Sequence, residues 1–191
     1  MTPKRLIIGI SGASGAAYGL KALELARGAG IETHLVVSRS ALLTLQQELG
    51  MQRAELERHA DIVHPVANVG ATIASGSFRT MGMLIAPCSI RTMSEIATGV
   101  TSTLMSRAAD VVLKERRRLV LMVRETPLHL GHLETMTRVT QMGAIVMPPV
   151  PALYAKPKDL DELITHSVAR ALDLFDIETG AVKRWEGLSG D

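Results

Sequence analysis

Arg124 and Glu125 stand side by side in Val-Arg-Glu-Thr-Pro (123–127), directly after the apolar residues 119–123. Charges at the end of a buried strand are costly unless they are paired or used. Glu125 suits a general acid or base and Arg124 a phosphate ligand; a structural ion pair between them is the other reading. Gly-Ile-Ser-Gly-Ala-Ser-Gly (9–15) joins an apolar run to a helical stretch. Its small residues let a ligand approach the backbone, and a helix start offers N–H groups to an anion. It is neither G-x-G-x-x-G nor a P-loop, and a tight turn without a ligand is the alternative. Pro-Cys-Ser-Ile-Arg-Thr (87–92) repeats the logic. Ser89 and Thr92 can donate to phosphate and Arg91 can supply charge, or the segment is a helix cap with Cys88 a small buried hydrophobe. Cys88 is a poor candidate nucleophile, with no His nearby in sequence.

A basic run holds Arg107, Lys114, Arg116, Arg117 and Arg118. Arg107 and Lys114 share a helix face and could converge on one anion; the others read as a solvated helix end. His129 and His132 could share a metal, but no third ligand has matching spacing and no H-E-x-x-H frame surrounds them. Asp159, Asp161 and Glu162 could form a magnesium-dependent diphosphate motif, but fit better as first-turn carboxylates of a helix.

The elements that must position these residues alternate. Short apolar runs at 6–10, 33–37, 81–86, 119–123 and 144–147 read as five buried strands, the third ending at Pro87. Helical spacing occupies 16–27, stopped by Gly28 and Gly30, then 41–49 capped by Ser38. Further helices are expected at 92–97, 104–115, 129–141 and 160–175, while 50–77 is mixed. This is an α/β pattern: a single-domain, Rossmann-like/flavodoxin-like parallel sheet with helices on both faces. Ligands of such sheets bind beyond the carboxyl ends of the strands, where the hydroxyls, arginines and small residues above gather. That list suits a phosphorylated ligand. Residues 178–191 read as a polar C-terminal tail, which Trp185 would dock.

Composition bounds the rest. With 191 residues and 47% hydrophobic content, the chain can bury roughly 70% of its unfolded surface without disulfide or metal. One cysteine excludes a disulfide framework and a multi-cysteine zinc site. A net charge of +2 and 3% aromatics argue against a nucleic-acid partner. No run of apolar residues is long enough for a membrane span, and 6–10 is too short for a signal-peptide core. The setting expected is cytoplasmic and reducing.

Over about residues 4–186 the chain resembles the UbiX-type flavin prenyltransferases. The motifs at 9–16, 87–92 and 124–128 carry the likeness, with Ala-Ser-Gly-Ser-Phe (74–78), Arg-Ala-Ala-Asp-Val-Val-Leu-Lys-Glu-Arg-Arg (107–117) and Pro-Pro-Val-Pro-Ala-Leu-Tyr (148–154). Residues 51–73 transfer nothing. The resemblance implies a flavoprotein domain over 1–177 that binds FMN. It implies transfer of a dimethylallyl group to N5 and C6 of reduced FMN, closing a fourth ring and releasing phosphate, with no metal. Gly12, Ala13, Ser14, Ser38, Ser89, Ile90, Arg91, Thr92 and Arg124 would hold FMN. Lys114, Tyr154 and Arg170 would hold dimethylallyl phosphate, with Arg107 and Arg124 adding charge. Ser14, Glu48, Glu125 and Lys114 would be catalytic. Tyr154 and Arg170 would come from a neighbouring subunit of a dodecamer. The prenylated FMN would serve a UbiD-type decarboxylase. The motifs leave the donor open between monophosphate and diphosphate, and the bacterial-type likeness favours the monophosphate. Two alternatives stand beside this: an FMN-dependent decarboxylase or oxidoreductase of the same fold, and a non-catalytic flavin carrier.

Overall fold

Residues 5–10, 82–88 and 118–123 contain the most continuous apolar runs, and they form the centre of the sheet. In the computed structural model, which describes residues 3–182, 184 and 187, β1 (Arg5–Ile10), β4 (Gly82–Cys88) and β5 (Arg118–Val123) lie side by side. β2 (Glu32–Val37) and β3 (Ile62–His64) extend one edge, and β6 (Ile145–Val146) the other. All strands are parallel, in the order β3-β2-β1-β4-β5-β6. The expected α/β sheet is present, with six strands rather than five. β3 lies in the stretch read as mixed; it is three residues long and half exposed, so it carries no periodic signal.

The inner strands are buried on both faces because helices cover both. On one face Leu6, Ile8, Leu84 and Val120 pack with α1 (Ala16–Gly28) and α7 (Leu160–Asp173). On the other, Ile7, Met83, Ile85 and Leu121 pack with α4 (Ile90–Thr98) and α5 (Leu104–Lys114). Odd and even residues of one strand thus feed two separate cores. α2 (Arg39–Leu49) joins the first core, α3 (Arg53–Glu57) precedes β3, and α6 (Leu130–Gln141) lies against α4.

Several boundaries move. β4 runs through Pro87 to Cys88, with its register to β5 shifting between Ile85 and Cys88; an irregularity of this kind lets a central strand carry a proline. Gly28 stays within α1, and the turn comes at Gly30 with φ 74°. Phe175 lies just beyond α7, in the core. Most of the tail, including Trp185, lies outside the described residues. Among the described residues no helix is long and apolar enough to cross a membrane.

The chain winds outward from β1 to β3, then returns to β4 beside β1. The switch point of the sheet therefore lies between β1 and β4, and the loops after them flank one crevice.

Candidate active site

Ser11 ties the two crevice loops together. It is fully buried; its Oγ donates to the Pro87 carbonyl at 2.9 Å and accepts the Ser89 N–H at 2.7 Å. This fixes the 11–15 loop against the start of α4. Ser89 caps that helix, its Oγ accepting from the Thr92 N–H and donating to the Thr92 hydroxyl at 3.1 Å. Ser38 caps α2 in the same way, accepting from the Ala41 N–H at 3.1 Å, and its Oγ lies 3.2 Å from that of Ser40. Gly12 lies against Ser40, whose backbone carbonyl carbon would be 3.2 Å from a Cβ there, so a side chain has no room.

Between these elements opens a cleft of about 680 Å³, lined by Ser38, Arg39, Ser40, Ser89, Arg91, Thr92, Glu95, Thr103 and Met105 among others. That volume is in the range of cofactor sites. Three capped helix starts, six hydroxyls and two arginines make its polar wall, and this donor set fits the phosphate of FMN. Arg91 is largely exposed and touches Glu95 at 3.0 Å, leaving most of its donors available.

The anion expected at the start of α1 is part of the protein. Glu48 accepts the N–H groups of Gly15 and Ala16, each at 2.9 Å from Oε2. Burial pushes its carboxyl up, but hydrogen bonds from Ser14, Ala16 and Gly15 and the charge of Arg124 outweigh it, holding Glu48 below the usual range. Glu48, Ser14 and Arg124 therefore form one group. Tyr18 belongs beside it although no motif marks it: burial raises its phenol, and the Arg124 charge pulls the other way.

Arg124 and Glu125 are both exposed and do not pair with one another. The burial cost inferred from the sequence does not arise, and neither does the ion pair. Arg124 N–H donates to the Cys88 carbonyl, and the Glu125 carboxylate accepts the Thr126 N–H at 3.0 Å. Cys88 is buried and kept as a thiol by desolvation.

The second residue set does not converge within one chain. α5 covers one face of the sheet and α7 the other, so Arg107 and Lys114 are separated from Arg170. Arg107 pairs with Asp110 at 2.7 Å, Lys114 with Glu115, and Arg170 with Asp173. Lys114 also ends α5, whereas the cleft touches the helix start at Thr103 and Met105; eleven residues span about 16 Å. Tyr154 sits in a short 3-10 turn, Leu153–Ala155, edge-on to the His166 ring at 5.9 Å.

Other expectations resolve locally. Arg117 and Arg118 are not a solvated helix end: Arg117 bonds the carbonyls of Gly76 and Phe78, and Arg118 pairs with Asp176. The His129 and His132 ring centres lie 3.6 Å apart with the rings tilted by 31°, and among the described residues no group of three or more His, Cys, Asp or Glu could hold a metal. Asp159 caps α7 by accepting from the Glu162 N–H.

The chain matches the Flavoprotein family model over residues 1–188. It is 59% identical over 186 residues to the flavin prenyltransferase UbiX of Neisseria meningitidis serogroup B, covering 97% of this chain and 98% of that one. The chain belongs to the UbiX flavin prenyltransferase family. UbiX of Escherichia coli K12 is 53% identical over 187 residues, covering 96% and 99%. The crystal structure of AnUbiX (PadA1) with FMN and dimethylallyl pyrophosphate superposes with a TM-score of 0.96 at 45% identity, covering 98% and 100%. A dodecameric FMN-dependent UbiX-like decarboxylase from Escherichia coli O157:H7 gives 0.93 at 44% identity, covering 96% and 100%. The UbiX fold thus extends over nearly the whole chain.

Proposed function

We propose that this chain is a flavin prenyltransferase that joins a dimethylallyl group from dimethylallyl phosphate to reduced FMN. The observation that carries this reading is near-full-length identity of 59% to a UbiX enzyme; a cleft walled by hydroxyls and arginines, whose donors fit a phosphate, supports it. When bound, reduced FMN supplies the nucleophilic N5 and C6 positions.

The chain's own residues supply binding, charge and proton handling. The backbone of Gly12, Ala13 and Ser14 with Ser38, Ser89, Ile90, Arg91, Thr92 and Arg124 holds the flavin nucleotide. Lys114, Arg107, Arg124 and Arg170 stabilise the negative charge gathering on the departing phosphate, and Tyr154 orients it. Held close to the flavin and away from water, the allylic carbon is captured before it hydrolyses. Glu125 moves the protons of ring closure. Glu48, kept ionised, accepts a proton through Ser14 rather than donating one.

The opposite placement of α5 and α7 supports a site shared between copies: one contributes Lys114, another Tyr154 and Arg170. Exposed apolar side chains at Leu128, Leu130, Leu133, Val150 and Leu153 offer the surface for such contacts. We take the assembly to be a dodecamer, as in the UbiX-like relative, and the setting to be cytoplasmic. Several solved structures of this fold carry decarboxylase names. A decarboxylase, or a carrier without catalysis, would leave Lys114, Tyr154 and Arg170 without a role.

The product is the cofactor of a UbiD-type decarboxylase, which gives a test. Flavin released by the protein from reduced FMN and dimethylallyl phosphate is expected to activate a cofactor-free UbiD-type decarboxylase, where FMN does not. Failure of that activation with an otherwise competent decarboxylase would contradict the proposal.

A further inference from the structure

The loop 74–78 is anchored from two sides. Beneath it, the Phe78 ring has the Arg5 guanidinium 4.8 Å from its centroid and the buried His34 ring edge-on at 5.1 Å. From the side, Arg117 donates Nη1 to the Phe78 carbonyl and Nη2 to the Gly76 carbonyl, each at 2.7 Å. Arg117 reaches them because α5 ends in a left-handed turn at Arg116 (φ 56°), with the Arg117 N–H returning to the Val112 carbonyl. A forked guanidinium satisfying two carbonyls two residues apart fixes both position and direction of a loop.

What the loop presents to the end of α5 is a residue without a side chain. A Cβ on Gly76 would lie 2.8 Å from Lys114 Nζ and would also collide with the Glu115 carboxylate that pairs with it. Gly76 therefore makes room for the Lys114–Glu115 pair. The colliding atoms are the ends of flexible side chains, so a methyl there displaces the pair rather than the backbone.

We infer that Gly76 and Arg117 are positioning residues for the Lys114 ammonium, setting where it meets the phosphate of the allylic substrate. This rests on the reading of Lys114 as a ligand of that phosphate.

The test uses the full-length protein with Gly76→Ala, Arg117→Gln, Arg117→Lys and Lys114→Ala. Four quantities are read: kcat/KM for dimethylallyl phosphate, inhibition by inorganic phosphate, FMN affinity and Tm. Displacing one charge-assisted contact is expected to lower kcat/KM and weaken phosphate inhibition about tenfold in Gly76→Ala and Arg117→Gln. FMN affinity stays unchanged, Gly76→Ala keeps the wild-type Tm, and Arg117→Lys, which can reach one carbonyl, is intermediate. Wild-type values in Gly76→Ala and Arg117→Gln, with a fall in Lys114→Ala, would overturn the positioning inference alone. Wild-type values in Lys114→Ala would overturn the reading of Lys114 itself. A parallel loss of FMN affinity in Gly76→Ala would reveal a general disturbance and also overturn the inference.

Discussion

The Glu48 carboxylate sits on the first turn of α1, its Oε2 2.9 Å from the Ala16 N–H. The helix start beside the glycine loop is thus already satisfied by a protein anion, which in the proposed reading leaves the nucleotide phosphate to the starts of α2 and α4. Removing this cap in Glu48→Ala should cost about 1 kcal/mol, a Tm loss of roughly 2–4 °C. The folded-state carboxyl titrates below its ordinary value of 4.5, so its contribution is complete above that pH. It is lost as pH falls through the folded value. Thermal melts should therefore show a constant gap between wild type and Glu48→Ala at neutral pH that closes in acid.

Ser11→Ala removes both the donor to Pro87 and the acceptor for Ser89. The part-buried Ser89 N–H loses its partner, while the Pro87 carbonyl keeps the Ser11 N–H at 3.2 Å, so the cost is about 1–3 kcal/mol. Because the hydroxyl ties the two crevice loops, FMN affinity should fall together with stability. Fluorescence titration and denaturant melts check both; an unchanged FMN affinity would separate the tie from the site.

Glu125→Gln keeps the size and the Thr126 hydrogen bond of an exposed residue. It should bind FMN normally and fold normally, yet lose at least about 100-fold in turnover, the usual scale of a lost acid–base group. Stopped-flow measurement under anaerobic conditions reads this, and wild-type turnover would remove Glu125 from the mechanism.

A shared site predicts complementation. Lys114→Ala and Arg170→Ala should each be nearly inactive alone. Co-expressed in equal amounts, they place one intact residue set at about one quarter of the interfaces by random mixing. Activity of the purified mixture should recover to that level; no recovery would place both residues in one chain's site.

Much of this arrangement is legible in the sequence. The strands buried on both faces announce themselves as unbroken apolar runs, and the loops after β1, β4 and β5 carry the small and polar residues that such a switch point uses. β3 was not legible because a three-residue edge strand has no period. Pro87 falsely ends β4, since the register shift that accommodates it shows only in the pairing of β4 with β5. Glu48 belongs to the α1 turn through a contact 32 residues away in sequence. The separation of Lys114 from Tyr154 and Arg170 depends on which face each helix covers, which spacing along the chain does not state. Arg117 looked like one of several solvated charges because its partners are backbone carbonyls, invisible to residue type.

The most direct test is mass spectrometry of the flavin after anaerobic incubation of the purified protein with reduced FMN and dimethylallyl phosphate. The predicted result is a flavin heavier by one C5H8 unit, formed in proportion to donor consumed. Unchanged FMN, with both the monophosphate and the diphosphate donor, would contradict flavin prenylation by this chain.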